Sequence, residues 1–421
     1  MERILLRGDL ATSRADMTMM TLEDGWIAVE GDRITYTGKE KPEERKGDTV
    51  IDRKGCLVIP GFSDMHLHAP QYQFTGLYMD EELIEWLERH TFPEESKYAD
   101  TGYAEKAYRI FAEDLRKSET TRVAVFGTVH TDSCLILARL LEENGLSGYV
   151  GKVNMDRNCP DSLKEDTDKS FSETVRFIDG MSTLKRIRPI ITPRFIPACS
   201  DTLLERLGRI AKDRGIPVQS HLDENISEIE WVRQLCPDAA SYADAYAKAG
   251  LMDTPSIMAH VVWPEDDEID LMLEKGTYVA HSPSSNANLS SGIAPVRRFL
   301  DRGVNIGLAS DVAGGSSLSM FRIMTDAIQA SKLRWRIQDS SLRPLSFEEA
   351  FHIATMGGGS FFGKTGALIP GYEADILVID DRDARTVLRD GLSIRERLEF
   401  YSYRTPGDRI ISKIARGSVV F

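Results

Sequence analysis

The 421 residues carry 66 acidic against 52 basic side chains, a net charge of −14, which argues against a nucleic-acid-binding face. With 42% hydrophobic and 28% charged residues, the chain has the mix of a globular protein large enough for a barrel plus an added small domain. No apolar run nears the ~18 residues of a membrane span. The opening MERILLRGDLATSRADM has no signal-peptide core, and five scattered cysteines without CxxC spacing fit reduced thiols in a cytoplasm.

In chain order, residues 1–60 read as short strands broken by turn signals: RILLRGDLAT, GWIAVEGDRITYTG and DTVIDRKGCLVIP. The middle then alternates. Apolar strands LVIPGFSDMHLH, RVAVFGTVH, GYVGKVNMD, IRPIITPRF, IPVQSHLD, SIMAHVVW, TYVAHSPSSN and NIGLASDV are separated by helical patterns, among them 103–118, 132–144, 170–185, 201–213, 227–248 and 317–334. Strands return at the end with ADILVIDD and RIISKIARGSVVF. Eight strands alternating with helices predict an α/β fold, a (β/α)8 TIM-like barrel over 61–366. The two β-rich ends, 1–60 and 367–421, are expected to pair into one small β-sandwich domain, since neither alone could bury much core.

Barrel enzymes work at the C-terminal ends of their strands, so the residues ending each apolar run matter. The first run ends in His66 and His68, which share a face because side chains two apart on a strand point the same way. A lone HxH is equally the polar cap of a strand. The fifth run ends in His221, with Glu224 three residues on; the sixth ends in His260; the eighth ends in Asp311, followed by Gly314 and Gly315. Each alone reads as an ordinary polar residue. Together, at four strand ends, three or four imidazoles and a carboxylate suit a divalent ion such as zinc or ferrous iron with one position left for water. The fourth run offers Arg194 and Phe195 where a binuclear site would need a bridging lysine, so one metal is expected. Arg194 is a poor ligand and a good fork for a carbonyl, or else half of a structural ion pair.

HxH after strand 1, His after strands 5 and 6 and Asp after strand 8 resemble the amidohydrolase superfamily. The local wording PGFSDMHLHAPQ, WLERHTFPEE, MDRNCPD, ITPRFIPACSD, SHLDENISEIEWV, AHSPSSNANLSSG and SDVAGGSSLSMF, from about residue 59 to 321, resembles its guanine deaminase family. HAPQ and TPRF are the most specific pieces. The resemblance implies one zinc per chain, with iron possible, held by His66, His68, His221 and Asp311. His260 is implied either as a distant fifth ligand or as a contact to the attacking water. Asp311 would accept a proton from that water. Glu224 would protonate ring N3 and then the leaving amine, as a non-ligand Glu does in other zinc deaminases. Gln71, Arg194 and Phe195 would bind the purine: an amide against its edge, a guanidinium on O6, a ring as wall. The implied reaction turns guanine into xanthine and ammonia, in a homodimer with neither nucleic acid nor membrane as partner. The alternatives are an aminohydrolase of another purine, a pterin, cytosine or a triazine, or a non-catalytic scaffold. Three departures fall beside the site: Asp223 where serine is expected, AHVVW where glycine usually follows the histidine, and HSPSSN where cysteine often does. For His281 a supporting hydrogen bond and a plain structural role remain open. His130 is unassigned, and His90 and His352 read as structural.

Overall fold

A computed structural model describes residues 3–382, 386, 388–404 and 409–421. The chain opens with β1 (Arg3–Ser13), β2 (Met19–Glu30), β3 (Arg33–Gly38) and β4 (Thr49–Pro60). The middle carries β5 (Phe62–His68), β6 (Thr120–Phe126), β7 (Ser147–Gly151), β8 (Val153–Asn154), β9 (Ile187–Pro189), β10 (Thr192–Pro193), β11 (Val218–Leu222), β12 (Ser256–His260), β13 (Tyr278–His281) and β14 (Asn305–Leu308). It closes with β15 (Ile376–Ile379), β16 (Ile410–Ala415) and β17 (Ser418–Val419).

The middle strands form two parallel four-stranded sheets, β5-β6-β7-β9 and β11-β12-β13-β14, with the short pair β8-β10 extending two staves. One seam is sewn by the Ile191–Val218 bridge. At the other, Asp311 N–H donates to His66 O and His68 N–H to Val312 O, both at 2.9 Å. The eight staves thus close into a barrel. Its interior is lined by Met65, Ala124, Ile190, Ile257, Ala259, Ala280 and Ala309. The small alanines leave room for polar groups above them.

Helices wrap the outside because their apolar residues recur at turn spacing. In Thr101–Lys117, Ala104, Ala107, Tyr108, Phe111, Ala112 and Leu115 are buried, and Asp100 caps the start by accepting Gly102 N–H at 2.8 Å. One expected helix is corrected. The pattern over 227–248 forms two helices, Ile226–Leu235 and Tyr242–Lys248. Pro237 lies between them, and a residue without an N–H and with a fixed φ cannot continue a helix.

The chain ends combine into one seven-stranded sheet, ordered β17-β16-β15-β4-β1-β2-β3. Register shifts where β1 pairs β2 and β4, around residues 7–10, and both wings contribute to one apolar cluster that includes Ile4, Leu6, Ile27, Val58, Ile376 and Ile414. Two buried basic side chains bind sheet to barrel. Arg122 on β6 reaches Asp375 at 2.5 Å and Glu373 at 2.7 Å. Lys413 on β16 donates to the carbonyls of Leu115, Arg116 and Ser118, the C-terminal end of the first long helix. A single residue, Gly61, separates β4 from β5. A Cβ there would stand 2.4 Å from the Thr121 side chain, so only glycine fits.

Candidate active site

Strand alternation carries most of the ligand set to the barrel mouth. On β5, Met65 joins the barrel interior and Leu67 packs outward beside Tyr108 and Phe111. A register shift between Asp64 and Leu67 marks a bulge that lets His66 follow Met65 toward the interior, with His68 beside it. On β11, Gln219 points inward, donating to Val125 O and Thr192 Oγ1, so His221 two residues on does the same. His260 arrives differently. Alternation after Ala259 would turn it outward, but its φ is +74° and that of Val261 is +47°. Asp223 and Asp311 also have positive φ, +51° and +46°. Left-handed backbone is costly for such residues and clusters where a fold holds functional groups in place.

The Nε2 atoms converge. His68 Nε2 lies 3.2 Å from both His66 Nε2 and His221 Nε2. Asp311 Oδ1 stands 3.1 Å from His66 Nε2 and 3.5 Å from His68 Nε2. His260 Nε2 sits 3.7 Å from Asp311 Oδ2. Phe126 underlies the cage, its ring 4.7–5.0 Å from those of His66, His68 and His221. The donor set fits a metal ion. Four bonds of ~2.0–2.1 Å in a tetrahedron space their ligand atoms at ~3.3 Å. His221 Nδ1 meets the carbonyl of Arg194 at 2.6 Å, so it must donate, leaving the Nε2 lone pair inward. Burial, then the neighbouring imidazoles, holds His221 well below the ordinary histidine value; burial, then His66 and the Arg194 charge, does the same for His68. Burial opposes ionisation of Asp311, but His66 and His260 outweigh it and bring the carboxyl down to about 2. Neutral imidazoles and an ionised carboxylate are the forms a divalent cation binds.

Glu224 stands beside the cage, its Oε2 3.5 Å from His260 Nε2. Burial first, then the charges of Glu228 and Asp311, pushes its carboxyl well above the usual range, which favours the protonated form. Glu228 fixes its backbone, accepting the N–H of Glu224 at 3.0 Å and of Asn225 at 3.2 Å, and Tyr242 O–H donates to Glu228 at 2.7 Å. Asn286 accepts from His260 Nδ1 at 2.9 Å. The cavity above the cage is walled by Gln71, Leu83, Trp86, Leu87, Arg194 and Phe195. Eight of the nine residues singled out in the sequence line this pocket, and the ninth, His66, lies against His68 and Asp311 in the cage. Behind the pocket wall lies Glu95, to which no role fell in the sequence: Gln71 Nε2 donates to it at 3.0 Å and Arg194 Nη1 at 2.6 Å.

The Amidohydrolase family profile matches residues 57–420. A guanine deaminase of Mus musculus is 40% identical over 394 residues, 90% of this chain and 87% of that protein. The chain belongs to the amidohydrolase family, in its guanine deaminase branch. A guanine deaminase of Escherichia coli is 34% identical over 367 residues, covering 85% of this chain and 82% of its own. A crystal structure of guanine deaminase from C. acetobutylicum with bound guanine in the active site superposes with a TM-score of 0.96 at 39% identity, covering 100% of both chains.

Set against that family, the remaining histidines separate cleanly. His90 stacks on Tyr78 at 3.8 Å, and His352 Nδ1 pairs with Ser13 Oγ at 2.7 Å. His130 lines a separate polar cavity with Asp132 and Lys169. The supporting hydrogen bond considered for His281 is not made: neither ring nitrogen has a partner among the described residues, and burial holds the ring down to about 3, uncharged. Gly314 and Gly315 follow Asp311 because there is no room for side chains; a Cβ on Gly315 would lie 1.8 Å from Ser310 O. Among the described residues no helix is long and apolar enough to cross a membrane.

Proposed function

We propose that this chain hydrolyses guanine to xanthine and ammonia with one divalent ion, zinc, in the cage of His66, His68, His221 and Asp311. The observation that carries the reading is that a metal-shaped donor cage, Glu224 and the Gln71–Arg194 pair meet at one cavity. Similarity to a guanine-bound guanine deaminase supports it. A divalent ion in the cage supplies Lewis acidity, lowering the pKa of bound water from ~15.7 toward ~7. Asp311, ionised, accepts the proton of the attacking water. Glu224 donates its proton to ring N3, so that the electron pair displaced from C2 ends on a neutral nitrogen. It then passes the proton held by Asp311 to the amine, the C2–N bond breaks as ammonia leaves, and the remaining C2 hydroxyl proton returns to Glu224 as the 2-oxo group forms, so both carboxyl groups end as they began. His260, locked by Asn286, faces both carboxyl groups and takes the role of holding the attacking water.

Arg194 supplies N–H donors to O6, Gln71 meets the ring edge, and Phe195 walls the ring face. A 6-amino ring would leave the buried guanidinium N–H groups that Glu95 does not use without an acceptor, which costs more than a missing contact. Five unpaired cysteines support a reducing, cytoplasmic setting, and the homodimer rests on the family resemblance. Ammonia release from guanine, adenine, cytosine, a pterin and a triazine, with elemental analysis, tests the assignment. Preference for guanine with about one zinc per chain is expected; turnover of another ring without guanine overturns it.

A further inference from the structure

We propose that Glu95 is a positioning residue for substrate selection: it fixes which donors Gln71 and Arg194 present to the ring. It touches neither cage nor cavity and acts through the pair, so the inference rests on the guanine reading above. The three side chains are 1%, 1% and 3% exposed for Gln71, Glu95 and Arg194. Each carboxylate oxygen takes one of them: Oε1 accepts from Gln71 Nε2 at 3.0 Å, Oε2 from Arg194 Nη1 at 2.6 Å. Ala313 N–H donates to Gln71 Oε1 at 3.4 Å. The guanidinium also lies over the Phe92 ring at 5.0 Å.

These contacts permit one amide orientation. Turned over, Gln71 would set its carbonyl against a carboxylate and its NH2 against a backbone N–H, two repulsive pairs. With Glu95 in place, Gln71 keeps its second N–H for the cavity, and Arg194 keeps the N–H groups that Glu95 does not use. Both then offer donors, and a ring must answer with acceptors such as a 6-oxo group. Glu95 also neutralises Arg194, so the cavity is built for an uncharged ring; a buried guanidinium without that counter-charge favours an anion. Arg194 is 99 positions away in sequence, so its pairing with Glu95 is made only by the fold.

The test uses the metal-loaded Glu95→Gln enzyme with guanine and with 2-aminopurine, which has the C2 amine but lacks the 6-oxo group. The guanine KM is expected to rise about 10- to 100-fold with kcat within about threefold. The kcat/KM for 2-aminopurine should stay within about threefold, so discrimination narrows. Calorimetric Kd values replace turnover where the latter is too slow. Because Glu95 acts through Arg194, Glu95→Gln/Arg194→Gln should be no worse on guanine than Arg194→Gln alone. Equal losses on both rings, an unchanged guanine KM, or losses that multiply in the double variant would overturn the inference. If Glu95→Gln does not fold, Glu95→Asp, which keeps the charge but shortens the reach, should give the same KM-weighted loss at smaller size; a kcat-weighted loss there overturns it. Failure of the unmutated enzyme on guanine would sink the functional reading instead, so the two failures are separable.

Discussion

The metal cage and the Gln71–Arg194–Glu95 cluster are neighbours, equally buried and equally polar, yet they are built on opposite principles. The cage is left unresolved by the protein: imidazole nitrogens crowd to 3.2 Å with lone pairs inward, a contact only a cation makes favourable. The second cluster is resolved internally, each charge and amide paired by the protein itself. One region demands a guest to be stable; the other is stable first and selects its guest afterwards.

That contrast can be broken from either side. Chelation should abolish turnover and lower the Tm by several degrees, and added zinc should restore both; an ion at ~100 times its Kd contributes about 2.7 kcal/mol of stability. Differential scanning fluorimetry with a parallel ammonia assay measures the pair of effects. Glu224→Gln should retain full metal by elemental analysis and lose about 10³-fold in kcat; near-normal rates would place the proton carrier elsewhere. Arg194→Gln should cost about 100-fold in kcat/KM for guanine with metal content unchanged, since this cluster does not hold the cage.

A smaller effect lies outside both regions. Burial brings Lys413 down to about 7, below the ordinary ~10.4. Between those values the unfolded chain holds a proton that the folded chain has shed. Stability should therefore rise with pH through that window, by about 1.4 kcal/mol per unit at most. Melting curves from pH 7 to 10 should show this slope in the unmutated protein and lose it in Lys413→Met.

The same contrast explains what the sequence disclosed. His66, His68 and His221 follow from the period of two along strands, and Asp311 from its place at a strand end. The helical stretch 227–248 showed its period but not its interruption, although Pro237 was the available signal. His260 reaches the cage through a left-handed backbone that no alternation rule foretells. Glu95 was legible only as one acid among several in WLERHTFPEE. Its partners come from the loop after β5 and the end of β10, and contacts so distant in sequence leave no local trace.

Gly61 has a consequence for engineering. With one residue between the two strands, the phase of β5 is inherited from β4. An extra residue beside Gly61, if absorbed by slipping β5 one step along β6 rather than by a further bulge, would exchange its two faces and aim His66 and His68 at the surrounding helices. The terminal sheet is thus the gauge that indexes the metal-holding strand, and grafting this barrel onto another sheet would have to copy that joint to the residue.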